Sequence, residues 1–257
     1  MCVAIYRPMG VHIPRRRLKS CWNGNPHGAG FMYTDRQKLN ICKGYMTFKK
    51  FYHAYRAAVI ANPKVDFVIH FRYATHGSRG AEMTHPFRIS RYTGFVHNGI
   101  LTDMKPDKND RLSDTALYCE RVLKRYPIGF ISDPKFQRII DAYACQHCSK
   151  FVFLDRNGQY YIANEKAGEW FEGAWYSNPW VAVDHKWDDA WDRQSWLDDL
   201  TLCDSGGRLE KLTRCDVCGG WHSWNEMSYD RMLLMWLCPT CCGSADREAD
   251  LGFRRTA

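Results

Sequence analysis

Short apolar segments separated by Gly, Pro and Asn turns fill the first two-thirds of this 257-residue chain, and they limit its fold more than any other feature. Runs of this length and composition are typical of β-strands. Strands are predicted at residues 2–6, 30–33, 38–43, 66–73, 150–155 and 159–164. The last two flank Arg156-Asn157-Gly158, a turn that favours a β-hairpin.

Three amphipathic helices are predicted between the strands, and each begins at a residue that can cap it. Apolar side chains recur at helical spacing after Thr47, after Ser113 and after Asp133-Pro134. Strands and helices therefore come in blocks and do not alternate one by one. Blocks of this kind favour an α+β fold, with layers of antiparallel sheet inside and helices outside.

A change in composition near residue 181 divides the chain. The predicted parts are a main domain at 2–180, an acidic, tryptophan-rich linker at 181–204, a small module at 205–245 and a tail at 246–257. Residues 1–180 hold 27 Lys and Arg against 14 Asp and Glu. This excess is compatible with a phosphate-bearing or nucleic-acid partner, but no stripe of aromatic and basic residues supports one, so a solvated surface is favoured.

The chain carries no signal for a membrane or for export. It has no run of about 18 apolar residues, the length that a membrane helix needs. Its N-terminus has an apolar segment first and an arginine cluster second, the reverse of a secretory signal. We therefore predict a cytoplasmic protein without a membrane partner.

The small module contains two CxxC pairs separated by 19 residues, a spacing typical of a zinc ribbon. The predicted ligands are Cys215, Cys218, Cys238 and Cys241. Four thiolates close the coordination shell, so the Zn²⁺ would be structural. Less favoured alternatives are Cys242 or His222 as a ligand, or a disulfide pairing. A separate pair, Cys145 and Cys148, has no matching pair nearby, and we interpret it as packing thiols.

Four short motifs carry the predicted chemistry. They are Cys2 at the second position, HFRYATHG at 70–77, HNG at 97–99 and SDT at 113–115. Each alone is weak, because a cysteine followed by apolar residues is usually a buried thiol and Asn-Gly is usually a turn. Together, and in this order, they resemble the glutaminase domains of class II amidotransferases. Segments 25–31, 84–87 and 172–178 add to the resemblance, which covers roughly residues 2–180.

The resemblance implies a four-layer αββα sandwich of the N-terminal nucleophile hydrolase type. It also implies the chemistry. Removal of Met1 would leave Cys2 with both a thiol nucleophile and a free amine that serves as its base. Asn98, through its side chain, and Gly99, through its backbone N–H, would stabilise the oxyanion.

The resemblance further implies how L-glutamine is bound. Arg72 would pair with the α-carboxylate and Asp114 with the α-ammonium group. The loop that closes over glutamine would contain Thr75, His76 and Gly77. Tyr73, also a predicted substrate-binding residue, stands where the synthase relatives often have Trp. We interpret His85 and His97 as structural.

The predicted function is a glutaminase that passes ammonia to an acceptor. Because only about 75 residues follow the domain, a partner synthase is expected to use the ammonia. Two alternatives stay open: an N-terminal nucleophile hydrolase acting on another amide, or a binding module that keeps the fold without catalysis. A substrate site built from Arg72 and Asp114 disfavours the first, and intact Cys2, Asn98 and Gly99 disfavour the second.

Overall fold

The computed structural model describes residues 2–35, 37–75, 77–107, 112–178, 201–203, 209–214, 221–223, 226–230 and 235–240. The chain divides into two compact units, Met1–His185 and Lys186–Ala257. Each unit is described by itself.

Ten strands lie in the described part of the first unit. They are β1 (Val3–Arg7), β2 (Ala29–Thr34), β3 (Leu39–Tyr45), β4 (Phe67–Phe71), β5 (Phe87–Arg88), β6 (Thr93–Asn98), β7 (Lys150–Asp155), β8 (Tyr160–Ala163), β9 (Glu169–Phe171) and β10 (Ala174–Tyr176). They form a six-stranded sheet in the order β3-β2-β4-β1-β10-β9 and a four-stranded sheet in the order β5-β6-β7-β8. All pairs are antiparallel, which confirms the predicted type of sheet.

The described residues of this unit also form four α-helices, α1 (Arg15–Gly24), α2 (Phe48–Ala61), α3 (Asp114–Arg121) and α4 (Pro134–Gln146). The three predicted caps are confirmed. Side-chain oxygens of Thr47, Ser113 and Asp133 accept hydrogen bonds from N–H groups in the first turns of α2, α3 and α4. Helix α1 was not predicted, although Leu18, Cys21 and Trp22 bury one face of it at helical spacing.

Successive side chains of a strand point to opposite faces of the sheet, and the buried apolar side chains therefore form three separate layers. In β1, Val3 and Ile5 face α1 and α2, whereas Ala4 and Tyr6 face the four-stranded sheet. In β7, Phe151 and Phe153 belong to the cluster that contains residues of α3 and α4. The helices therefore cover the outer faces of two sheets that pack on each other, in the predicted order helix, sheet, sheet, helix.

In the second unit the described strands are β11 (Thr201–Cys203), β12 (Leu209–Arg214), β13 (Trp221–Ser223), β14 (Ser228–Asp230) and β15 (Met235–Leu237). The first three form an antiparallel sheet, and the last two form an antiparallel pair. Strand β15 lies within the apolar run 232–237 and ends directly before Cys238.

Candidate functional site

The position of Cys2 follows from the pairing of β1 with β4. Val3 lies opposite Phe71, so the residue before β1 meets the chain as it leaves β4. The Cys2 Sγ atom accepts a hydrogen bond from the Tyr73 N–H at 3.2 Å and lies 3.4 Å from the Tyr73 carbonyl oxygen. Burial raises the pKa of the Cys2 thiol, whereas the Tyr73 N–H and the charge of Arg72 act in the opposite direction. The thiol therefore needs a base to become a nucleophile near neutral pH.

Arg72 directly follows β4 and is only 3% exposed. Its Nη1 atom donates to the Ser78 carbonyl oxygen at 2.8 Å, and its backbone N–H donates to the Gly28 carbonyl oxygen at 2.8 Å. Burial lowers the pKa of Arg72, while nearby Cys2, Glu82 and Asp114 favour its charged form. An arginine of this kind stays charged and offers a fixed fork of donors.

The rest of the predicted loop is more open. Tyr73 is 44% exposed, and Thr75 is also exposed. Predicted residue His76 lies outside the described residues. The side chains of Tyr73 and Thr75 are therefore more exposed to solvent than that of Arg72, which is buried.

Asn98 ends strand β6 of the other sheet, and Gly99 directly follows it. Asn98 is buried, and its Nδ2 atom donates to the Ser177 hydroxyl at 2.8 Å. Gly99 has φ +151°, and a Cβ atom built there would lie 2.0 Å from Ser149 Oγ and 2.7 Å from Ser149 Cβ. Only glycine fits this position, so the chain can turn into the cleft directly after Asn98.

Asp114 is the first residue of α3, directly after its cap Ser113. It is 6% exposed, and its two carboxylate oxygens accept hydrogen bonds from the N–H groups of Leu101 and Thr115, both at 2.8 Å. The helix N-terminus favours a negative charge at this point. Because each carboxylate oxygen can accept more than one bond, the fixed anion can still bind an ammonium group.

A cleft brings these parts together. Six predicted residues line it: Cys2, Arg72, Tyr73, Thr75, Gly99 and Asp114. Asn98 does not line the cleft but lies directly before Gly99 in β6. Five further lining residues were not predicted as substrate contacts: Ala74, His85, His97, Ser113 and Thr115. Ser113 and Thr115 belong to the SDT motif, of which only Asp114 was predicted to contact the substrate.

His70, His85 and His97 are buried and contact one another, and the last two line the cleft. The His97 backbone N–H donates to His85 Nδ1 at 3.1 Å, and the His97 carbonyl oxygen lies 3.0 Å from His70 Nε2. The rings of His70 and His85 stack at 4.0 Å. Burial lowers the pKa of His70 to about 3 and that of His97 to about 4, and it holds the pKa of His85 well below 6.5. These contacts agree with a structural role, and the neutral rings are weak bases.

Ser177 is a site residue that sequence reasoning missed. It lies directly after β10, is 1% exposed and contacts both β1 and Asn98. The segment 172–178 had been selected for its resemblance to a family motif, but nothing in its local pattern indicated a partner 79 residues away.

The zinc prediction falls mostly on residues that the structure leaves out. Cys215, Cys218 and Cys241 lie outside the described residues, whereas Cys238 is described and buried. Within the part of the chain that is described, no group of three or more His, Cys, Asp or Glu side chains could hold a metal ion. The zinc ribbon therefore stays a prediction.

The interpretation of Cys145 and Cys148 as packing thiols is wrong. Both side chains are exposed, in contrast to the buried Cys21 and Cys119. The pair lies where α4 ends, and the Cys148 N–H donates to the Cys145 carbonyl oxygen at 3.1 Å. A helix C-terminus at the surface leaves these side chains outside the core.

Among the described helices, none is both long and apolar enough to cross a membrane. No protein-family model matches the chain, and no curated protein sequence matches it. One similar solved structure is a glutamine phosphoribosylpyrophosphate (PRPP) amidotransferase from B. subtilis complexed with ADP and GMP. The identity is 17% and the TM-score is 0.44, over 70% of this chain and 42% of that chain. A likeness of this size leaves fold and activity to be argued from the residues of this chain.

Proposed function

We propose that the first unit is a glutaminase of the class II, N-terminal nucleophile type, which hydrolyses L-glutamine to glutamate and ammonia. One observation carries the proposal. Cys2, Arg72, Gly99 and Asp114 were selected from four separate stretches of sequence, and all four line one cleft. They supply a nucleophile, a cation, an oxyanion donor and an anion, the groups that hydrolysis of a free amino-acid amide needs.

The proposed reaction begins with the thiol of Cys2. Its pKa is raised by burial, and the neighbouring histidines are held neutral with low pKa values, so they are poor bases. Removal of Met1 would place a free amine, with an ordinary pKa of about 8, on the same residue as the thiol. That amine accepts the thiol proton, and the thiolate attacks the side-chain amide carbon of glutamine.

Attack produces a tetrahedral oxyanion, which the Asn98 side chain and the Gly99 N–H would stabilise. Collapse of this intermediate expels ammonia, with the proton returned from the Cys2 ammonium group, and leaves a thioester. Water then hydrolyses the thioester to glutamate and regenerates the thiol. Arg72, directly after β4, and Asp114, the first residue of α3, both line the cleft and would hold the two charged ends of the substrate.

The test combines activity with mass. Purified protein should release ammonia from L-glutamine and should lack one methionine in its intact mass. Glutaramide, which lacks the α-carboxylate and α-ammonium groups, should be a poor substrate because it cannot form the proposed ion pairs with Arg72 and Asp114. Failure to release ammonia from glutamine would contradict the proposal. Hydrolysis of γ-glutamyl compounds alone would support the alternative amide hydrolase.

We further propose that a partner synthase or another acceptor uses the ammonia and that the protein acts in the cytoplasm. Support comes from the resemblance of the four motifs to class II amidotransferases, which pass the ammonia of glutamine to an acceptor. The test compares two rates at which a candidate acceptor is aminated, one with ammonia released from glutamine by this protein and one with free ammonia added at the same concentration. A faster rate with glutamine would support transfer. Equal rates would contradict it.

The structural Zn²⁺ is proposed on the spacing of its four cysteines. Purified protein should contain about one zinc per chain, and Cys215→Ser with Cys238→Ser should release it. Glutaminase activity should survive, because every proposed catalytic residue lies before residue 120. Cys145→Ser is the matched control and should retain the metal. Zinc-free protein, measured by metal analysis, would contradict the proposal.

A further inference from the structure

At the end of the hydrogen-bond ladder between β1 and β10, a side-chain oxygen replaces a backbone carbonyl oxygen as the acceptor. Ile5 pairs with Tyr176 in a regular antiparallel register, and the Ser177 N–H continues the ladder by donating to the Ala4 carbonyl oxygen at 2.9 Å. The Ala4 N–H, however, donates to the Ser177 hydroxyl at 2.8 Å. A side-chain oxygen therefore accepts the hydrogen bond two residues after Cys2.

The same hydroxyl accepts a second hydrogen bond from the other sheet. Asn98 Nδ2 donates to it at 2.8 Å, and both Ser177 and Asn98 are almost completely buried. One oxygen atom thus joins the strand that begins just after Cys2 to the side chain proposed to stabilise the oxyanion. A hydroxyl has two lone pairs, so it can accept both bonds together.

This arrangement matters because an oxyanion donor works only at a defined distance from the nucleophile. The six-stranded sheet positions Cys2, and the four-stranded sheet positions Asn98. Packing between two sheets fixes their separation less tightly than a direct hydrogen bond. An amide side chain without a partner could also rotate about its side-chain bonds.

We propose that Ser177 is a positioning residue for catalysis, which fixes Asn98 relative to the strand that carries Cys2. This inference rests on the proposed glutaminase function. Ser177 acts through Asn98 and Ala4 and does not line the cleft. Its hydroxyl also leaves the second hydrogen of Asn98 Nδ2 available for the oxyanion.

The first experiment is a double-mutant cycle on kcat. Ser177→Ala should lower kcat about tenfold or more, with little change in KM, because a loosened donor weakens stabilisation of the transition state. If Ser177 acts through Asn98, the double variant with Asn98→Ala should have the kcat of Asn98→Ala alone. Multiplied losses in the double variant would overturn the proposal.

The chain offers a matched control at the opposite end of the two sheets. Thr34, at the end of β2, is 2% exposed, and its hydroxyl bonds to the carbonyl oxygen of Arg156, which follows β7. Thr34→Val removes a buried hydroxyl bridge between the sheets far from Cys2. It should lower the melting temperature but leave kcat unchanged. An equal loss of kcat in both variants would show a general structural effect and overturn the proposal.

A second readout does not depend on activity. The same four proteins of the cycle should show non-additive changes in the unfolding midpoint, because the hydrogen bond between Ser177 and Asn98 is lost only once. Ser177→Cys replaces the hydroxyl with a thiol, a weaker hydrogen-bond acceptor, and should be intermediate in both readouts. If wild-type protein releases no ammonia, the glutaminase function fails, while additive midpoints would refute the link between Ser177 and Asn98.

Discussion

The two walls of the cleft are built differently. The first wall, Cys2 with residues 72–75, belongs to the six-stranded sheet and the loop that leaves it, and Tyr73 and Thr75 are exposed. The second wall, His97, Gly99 and residues 113–115, belongs to β6 and the start of α3, and every side chain in it is buried. The difference indicates that the second wall is preformed, whereas the first contains the part that can adjust to a substrate. Substitutions should therefore have different consequences on the two walls.

The largest effect is expected at the nucleophile on the first wall. Cys2→Ala should lower ammonia release from glutamine by about four orders of magnitude or more, since no other group is proposed to form the thioester. Cys42→Ala is the matched control, because Cys42 is a partly buried cysteine of β3 that does not line the cleft. Substantial turnover by Cys2→Ala would show that Cys2 is not the nucleophile.

The next largest effect should come from the rigid second wall. In Gly99→Ala the new Cβ would overlap Ser149, so the oxyanion donor must move and kcat should fall about 10²- to 10³-fold. Gly129→Ala is the control: it also has positive φ, but nothing lies within 4 Å of its Cβ position. That variant should be about 1 kcal/mol less stable and should keep full activity. Steady-state kinetics beside thermal unfolding separate the two results.

A smaller effect, on binding, is expected at Arg72 in the first wall. Arg72→Lys keeps the charge but loses the two-pronged donor, so KM for glutamine should rise about thirtyfold while kcat changes less. Arg79→Ala changes an exposed arginine on the same loop and should leave KM nearly unchanged. Equal KM values for wild type and Arg72→Lys would show that Arg72 has another role.

The smallest effect is a pH dependence of stability from two buried histidines, His70 of β4 and His97 of the second wall. The pKa of His70 is about 3 and that of His97 about 4, below the value of about 6.5 in an unfolded chain. Between the folded-state and unfolded-state pKa values, the unfolded chain binds more protons than the folded protein. The contribution to folding stability that is present above about pH 6.5 is therefore lost as the pH falls. The free energy of unfolding should decrease by up to about 1.4 kcal/mol per pH unit for each histidine.

Chemical denaturation between pH 7 and 4.5 measures this slope. His70→Gln should reduce the slope, whereas His53→Gln, which changes an exposed histidine of α2, should not. A slope that is unchanged in His70→Gln would show that other groups cause the acid sensitivity.

Much of the main domain could be predicted from local patterns. Strand β7 was predicted at its observed bounds, and the caps of α2, α3 and α4 were found at the right residues. Helix α1 was missed because three arginines in its first turn obscured a buried face of only three side chains. Strand β6 was missed because its glycine and histidine resemble a turn, although they lie in a fully buried strand.

The candidate site divides in the same way. The residue types of the site are read directly from the chain, and the resemblance of four motifs assigned them roles. That Cys2, Arg72, Gly99 and Asp114 meet in one cleft, and that Ser177 contacts Ala4 and Asn98, became known from the folded chain. The physical reason is distance along the chain. Caps and tight turns are hydrogen-bonded within a few residues, so a short window of sequence contains both partners. Ala4 and Ser177 are 173 residues apart, and their contact depends on the register of strands that the packing of the whole sheet fixes.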